Sequence, residues 1–370
     1  MDKYVIRMQT GAPVPISIDT FAAVGEEEAN VGKDEEEGKG ERKAPEKMVQ
    51  KRKREKKKKE TGASSRKGSR NKNGDWGNRI ALTWGDAGEN HVGMELVGDM
   101  QEKGTGFTFH DLECIAATAT EAGLVAEVHG FGHNATFGAK DNGPVSAKDN
   151  GPVSAEDNWP VKHTAGVLVI RNLVEGELLK ACGTDLNTLE WDSKYWDRRR
   201  QKVLNKRART NLMFQHGVSQ TPSYEEGKGR IVDLDTLKAV ATAEKLIFSL
   251  VQKGLKKGGG STKWVPLVCE GNNYYDLKKT GIGFHGDSER TRVACLSVGG
   301  HEYPMRWQWF LRSKVIGPTF DVQLNSGDVY VMSEKAVGQN WKCRSIPTLR
   351  HAAGCAKYTK IQDKWKTVQE

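Results

Sequence analysis

The sequence has no run of about 18 apolar residues, so it offers no helix to span a bilayer. Its first stretch, MDKYVIRMQTGAPVPIS, lacks the apolar core of a secretory signal. It has no CxxC pair. Its six cysteines (Cys114, Cys182, Cys269, Cys295, Cys343, Cys355) are scattered, which argues against a zinc ribbon or a disulfide framework and for reduced thiols inside a cell. It is poor in net hydrophobicity: charged residues make up 28% and the mean hydropathy is −0.65, so disordered polar sequence is mixed with globular sequence. At 370 residues it is long enough for one large or two moderate domains.

The formal charge of +9 is concentrated in one place. Residues 41–75, which include KRKREKKKKE, hold 15 Lys and Arg against 5 Asp and Glu, and the remainder of the chain is close to neutral. Runs of like charge repel and do not fold. With the acidic patches Glu26–Glu28 and Asp34–Glu37 ahead of it, the stretch 1–75 reads as a disordered acidic and basic tail. The basic run 51–59 suits a nuclear address, a non-specific nucleic-acid arm or a solubilising tail.

Residues 76–138 read as a small α+β unit: a strand in NRIALTW, a helix in FHDLECIAATATEAG with Leu112, Ile115 and Ala116 on one stripe, and a strand in LVAEVHGF. Its loop GDAGENHVGME (85–95) carries no assigned chemistry beyond that of a binding loop. Residues 139–162 repeat AKDNGPVS, AKDNGPVS, AEDNWPVK. Asn-Gly-Pro punctuation favours turns and the copies are too short for a solenoid, so this is a repetitive linker. Residues 163–370 read as one globular domain. It opens with a buried strand in AGVLVIRNLV and an amphipathic helix over 233–255, with Asp233 or Asp235 as its cap. A series of β-rich runs follows: WVPLVCE, RTRVACLSVGG, MRWQWFLRS, FDVQLNSGDVYVMS and AKYTKIQ. A helix packed on many short antiparallel strands points to an α+β chain with a jelly-roll double sheet.

Within that β-rich half lies GIGFHGDSER (281–290). His285 and Asp287 stand two apart, and alternate residues of an extended strand point the same way. They form half of a 2-His-1-carboxylate iron site, whose remaining positions stay open to co-substrate and oxygen. Two histidines follow. His301 sits in a turn too close in sequence to cross the sheet, which leaves His351 as the third ligand. A hydrogen-bonded loop histidine is the competing explanation. Trp307 and Trp309 share one strand face, where core packing outweighs base stacking. The cluster RRRQKVLNKRAR (198–209) suits either a phosphate-tracking patch or a solvated helix face.

The stretch Asn273 to Lys360 resembles the Fe(II)/2-oxoglutarate dioxygenases and, within them, AlkB-like proteins. NYYDLKKTGIGFHGDSE is similar to that family's N-x-Y followed by H-x-D-x-D/E, LNSGDVYVMSEKAVGQNW to its Gly-Asp strand, and His351 to its distal histidine. The resemblance implies a double-stranded β-helix, Fe(II) on His285, Asp287 and His351, and 2-oxoglutarate beside Asn273 and Tyr275. It also implies a substrate contact at Glu289, with Arg290 next to it. The family's final arginine-bearing strand is missing. In its place AKYTKIQ offers Lys360, with Lys357 in reserve, to hold the 2-oxoglutarate carboxylate as a point charge. The implied activity is oxidation of an alkylated or methylated base in DNA or RNA, as in demethylation or repair. A protein side-chain hydroxylase and a non-catalytic nucleic-acid-binding module are the alternatives.

Overall fold

The computed structural model describes residues 77–132, 165–259, 267–300 and 303–366, and the backbone of a short strand β1 (Val5–Arg7). The expectations for the rest of the tail, for the repeat 139–162 and for His301 fall outside these residues.

The described chain is a mixture of strands and few helices. In order it runs β2 (Arg79–Gly85), β3 (Ala87–Glu89), β4 (Leu96–Gly98), α1 (Phe109–Glu121), β5 (Ala126–Gly130), β6 (Gly166–Ile170) and α2 (Gly176–Asn187). There follow β7 (Lys194–Asp197), β8 (Lys202–Asn205), β9 (Thr210–Gln215), β10 (Ile231–Asp233) and α3 (Lys238–Lys257). The remainder is β11 (Val268–Tyr274), β12 (Gly281–His285), β13 (Val293–Val298), β14 (Tyr303–Leu311), β15 (Lys314–Leu324), β16 (Val329–Met332), α4 (Glu334–Val337), β17 (Thr348–Gly354) and α5 (Ala356–Thr359).

A nine-stranded sheet has the order β1-β5-β6-β16-β13-β2-β11-β9-β10, and a four-stranded sheet the order β12-β17-β14-β15. All pairs are antiparallel except β9 with β10. The large sheet is buried on both faces because its strands carry apolar residues at successive positions. In β13, Ala294 and Leu296 turn to the helices while Val293 and Cys295 turn to the small sheet. On the helix side, Leu112 and Ile115 of α1 and Val240, Ile247 and Leu250 of α3 cover β2 through Ile80, Leu82 and Trp84. On the other side, Trp307 and Trp309 of β14 fill the space between the sheets and are at most 1% exposed. Core packing is thus the fate of both tryptophans.

Local chemistry sets the element ends. Thr108 caps α1 by accepting from the Asp111 amide, and Asp111 accepts in return from the Thr108 amide, a capping box of the kind that contributes about 1 kcal/mol. α1 and α3 cross closely at Gly254, where a Cβ would lie 2.5 Å from Ile115 Cα. The helix expected over 233–255 begins later, at Lys238. Asp233 accepts from the Asp235 amide at 3.0 Å and closes a 3-10 turn first.

Two expectations are corrected by the topology. The stretch 76–138 is not a separate unit, because β2 pairs with both β11 and β13 in the middle of the large sheet. AKYTKIQ is not a strand but the short helix α5.

Candidate metal centre and its cavity

β12 and β17 pair so that His285 lies directly opposite His351. β12 ends at His285, and Asp287 follows two residues beyond its end. One ligand atom from each of the three residues lies within 4.8 Å of the others. His285 Nε2 and His351 Nε2 stand 3.5 and 3.8 Å from Asp287 Oδ1. The turn between His285 and Asp287 requires glycine: a Cβ on Gly286 would lie 2.2 Å from the Gly338 carbonyl oxygen. The Asp287 amide donates to the Val337 carbonyl at 3.1 Å, which fixes the carboxylate's backbone.

The protonation states suit a metal. His285 Nδ1 faces the carbonyls of Gly283 and His351 at 2.9 and 3.1 Å, so it carries the proton and leaves the Nε2 lone pair free. Burial lowers the pKa of His285, and burial with the neighbouring His285 lowers that of His351 to about 3, so both rings are neutral. Burial works against the Asp287 carboxylate, but the Arg290 guanidinium, the foremost of the neighbouring charges, holds its pKa below the ordinary value. Two neutral imidazoles and one carboxylate are a donor set for a divalent transition metal, with positions left over.

Arg290 is 2% exposed and supports this arrangement. Its Nη2 donates to Glu270 at 2.6 Å and to Glu289 at 3.1 Å, and its Nε lies 3.7 Å from Asp287 Oδ2. Burial raises the pKa of Glu289 to about 7 in spite of Arg290. Arg290 is therefore committed to the site's own carboxylates.

The triad lines a cavity of about 470 Å³ between the two sheets. Arg79, on β2, lines the same cavity and is 1% exposed. Its Nη1 donates to the carbonyls of Gly300 and Leu324 at 3.2 and 3.0 Å, and its Nη2 to Ser297 Oγ. Among the described residues no carboxylate lies within 4.0 Å of it; burial lowers its pKa, and Asp328 opposes this from further away. The Tyr303 hydroxyl, also on the cavity, is buried without a hydrogen-bond partner among the described residues. A buried guanidinium with no carboxylate in contact costs free energy that an incoming anion would recover.

No family model matches the sequence. A protein of Acanthamoeba polyphaga mimivirus, described as uncharacterized, is 36% identical over 281 residues, which cover 76% of this chain and 97% of the viral protein. The chain belongs to the family of that mimivirus protein. Membership in this mimivirus family shows common descent over 76% of the chain and leaves chemistry to be read from the residues.

Several expected residues do not meet at the centre. Asn273 accepts from Asn78 at 3.0 Å, and Tyr275 is 47% exposed and donates to the Arg207 carbonyl at 3.1 Å. It is Asn272 and Tyr274 that line the cavity. In NNYY both phases fit N-x-Y, and strand alternation shows only that one pair faces inward, not which. Lys357 and Lys360 are exposed on and after α5, away from the cavity lining, with Lys357 Nζ over the Tyr358 ring at 5.3 Å. Glu289 and Arg290 do line the cavity. The sequence reading missed Arg79, Glu270, Arg209 and Glu89, all cavity residues. Arg79 had one signal, a charge at the start of an otherwise apolar strand. The loop 85–95 forms the mouth through Glu89, His91 and Val92.

Proposed function

We propose that the protein is an Fe(II)- and 2-oxoglutarate-dependent dioxygenase on a double-stranded β-helix, acting on an alkylated or methylated base in nucleic acid. The observation that carries this reading is the pairing of His285, Asp287 and His351 in one cavity with a buried arginine that, among the described residues, has no carboxylate within 4.0 Å. Strand order supports the architecture: from β11 to β17 the chain passes back and forth between the two sheets, and β2 closes the fold from the other end of the sequence.

His285, Asp287 and His351 would hold Fe(II). Arg79, with Ser297 and the unpartnered Tyr303 hydroxyl, would hold the distal carboxylate of 2-oxoglutarate, the role expected of Lys360. An arginine restores the forked recognition that lysine gives up. Bound together, metal and 2-oxoglutarate supply the oxidising power of O2, with succinate and CO2 as by-products. The chain's own contributions are positional. The backbone carbonyls fix the His285 ring, Arg290 holds Asp287, and Ile282, Met305 and Met332 give the cavity apolar walls. Glu289 offers a carboxyl oxygen to an exocyclic amine of a base. The basic run 51–59 is proposed as a nuclear address.

Anaerobic titration of Fe(II) and 2-oxoglutarate, followed by the visible charge-transfer band, tests the centre. The band is expected in the wild type and absent in His285→Ala and Asp287→Ala. Metal affinity unchanged in those variants would sink the assignment. Succinate release with methylated oligonucleotides tests the substrate, and release with peptides alone would transfer the activity to protein side chains.

A further inference from the structure

The cluster 198–209 is not a helix face. It belongs to a two-stranded ribbon, β7 with β8, that stands apart from both large sheets. Residues 194–209 contain eight Lys and Arg against one Asp. Arg198, Arg199, Arg200, Lys202 and Arg207 are exposed. Arg200 comes within 3.7 Å of Asp197, and among the described residues the other four have no carboxylate within 4.0 Å. A row of unmatched cations costs self-repulsion that a polyanion would relieve.

The ribbon is tied to the mouth of the metal cavity. Lys206 Nζ donates to the Asn90 carbonyl at 3.0 Å and to its side-chain oxygen, and Asn90 donates to Asp192 at 2.9 Å. Tyr195 stacks on His91 with ring centroids 3.6 Å apart and planes 15° from parallel. Arg198 Cδ lies 3.7 Å from the point a Cβ on Gly93 would occupy. A second cavity of about 570 Å³ lies along the ribbon and shares His91 and Arg209 with the metal cavity.

The ribbon outside is basic, whereas the cavity sets Glu89, Glu270, Asp287 and Glu289 against Arg79, Arg209, Arg290 and Lys342. A lysine peptide would be repelled by the ribbon. The stacked His91–Tyr195 pair at the entry suits a nucleotide better than an acidic peptide, with its phosphate along the ribbon and its base inside. We propose that the β7–β8 ribbon is the nucleic-acid-binding arm of this site. Phosphates of a single strand lie along Arg198, Arg199, Arg200 and Lys202, and one base passes the stacked His91–Tyr195 pair into the metal cavity. Aromatic rings at the entry suit a base that has left its stack. This inference rests on the base-oxidation reading for what happens inside the cavity, but the binding it describes is independent of turnover.

The test is fluorescence anisotropy of the full chain with a labelled mixed-sequence single-stranded oligonucleotide over a range of salt. The variant replaces Arg198, Arg199, Arg200 and Lys202 by Gln together, leaving the basic tail 41–75 untouched. At ~0.7 per phosphate contact on single strands, the slope of log affinity against log salt is expected to fall by about 3. Affinity at physiological salt falls at least tenfold, with Co(II) binding unchanged as proof of fold. A companion variant with lysine at 198, 199 and 200 keeps the slope. An unchanged slope and affinity in the Gln variant overturns the proposal, as does polyglutamate competing as well as the oligonucleotide. Loss of the slope in a protein that makes no succinate with any substrate leaves the arm standing and removes the oxygenase. Succinate release on oligonucleotide with an unaltered KM in the Gln variant removes the arm and leaves the oxygenase.

Discussion

Arg79 and Lys360 show how much the role of a basic side chain depends on where its backbone runs. Both are single charges near the end of a β-rich or β-like stretch. Lys360 is exposed to water, where its charge is already solvated and carries no demand for a partner. Arg79 is buried, bonded to two carbonyls and a serine, and among the described residues has no carboxylate within 4.0 Å. Arg79→Met is expected to weaken 2-oxoglutarate binding by about 10- to 100-fold, the equivalent of about 1.5–3 kcal/mol for a charge-assisted hydrogen bond. Co(II) affinity should stay as it is. Lys360→Ala should change neither. Calorimetric titration of the metal-loaded protein with 2-oxoglutarate measures all three, and a loss in Lys360→Ala alone would reverse the assignment. At this scale the metal triad was legible, because spacing two and one later histidine are properties of the sequence. The neighbours Asn272 and Tyr274 were not, because period-2 alternation has two phases and only the sheet selects one.

Elements are held to one another by a few polar contacts that the sequence does not announce. His216, just past β9, lies between Asp235 of the 3-10 turn at 2.7 Å and Glu244 of α3 at 2.6 Å. Burial opposes the charge on His216, but both carboxylates favour it and the net result is a raised pKa. Asp235 answers with a lowered pKa, whereas burial keeps that of Glu244 raised despite the histidine. Because the folded pKa of His216 exceeds its ordinary 6.5, its contribution is complete below pH 6.5 and is lost as pH rises through the folded value. Melting temperatures are expected to fall between pH 6 and pH 9 on this account, and His216→Gln should flatten that part of the profile. An equal fall in the variant would show that the clamp is idle. Element existence was largely legible here: the α1 stripe and the apolar runs of β6 and β13 appear where the sequence places them, whereas β11 begins at Val268 and shares only Val268–Glu270 with the run WVPLVCE. The start of α3 was misread because an Asx turn at Asp233 competes locally with the helix. The ribbon β7–β8 was invisible as such, since a run of Arg and Lys has no apolar period to report.

The whole molecule closes through β2. Its Leu82 pairs with Gly271 of β11 on one side and with Leu296 of β13 on the other, so a strand from the N-terminal third sits at the centre of a sheet built mainly from the C-terminal half. A fragment of residues 163–370, which sequence composition marks as a self-sufficient domain, is therefore expected not to fold. It would expose the edges of β11 and β13 and leave the cavity without Arg79. A fragment beginning at residue 77 keeps β2 and should bind Co(II) with the affinity of the full chain. Far-UV circular dichroism and Co(II) titration of the two fragments distinguish these cases, and a folded, metal-binding 163–370 fragment would contradict the role given to β2.

By itself the sequence determined the local facts. The basic tail lacks apolar residues to bury, the strands and helices follow their periods, and three residues carry the chemistry of a metal site. Tertiary structure alone decided which strand stands beside β11 and β13, and with it which arginine lies buried in the cavity and which loop forms its mouth. The physical reason is that pairing between strands distant in sequence is chosen by the shared core and the free hydrogen-bonding edges of the assembled sheet. Neither exists until the chain has folded.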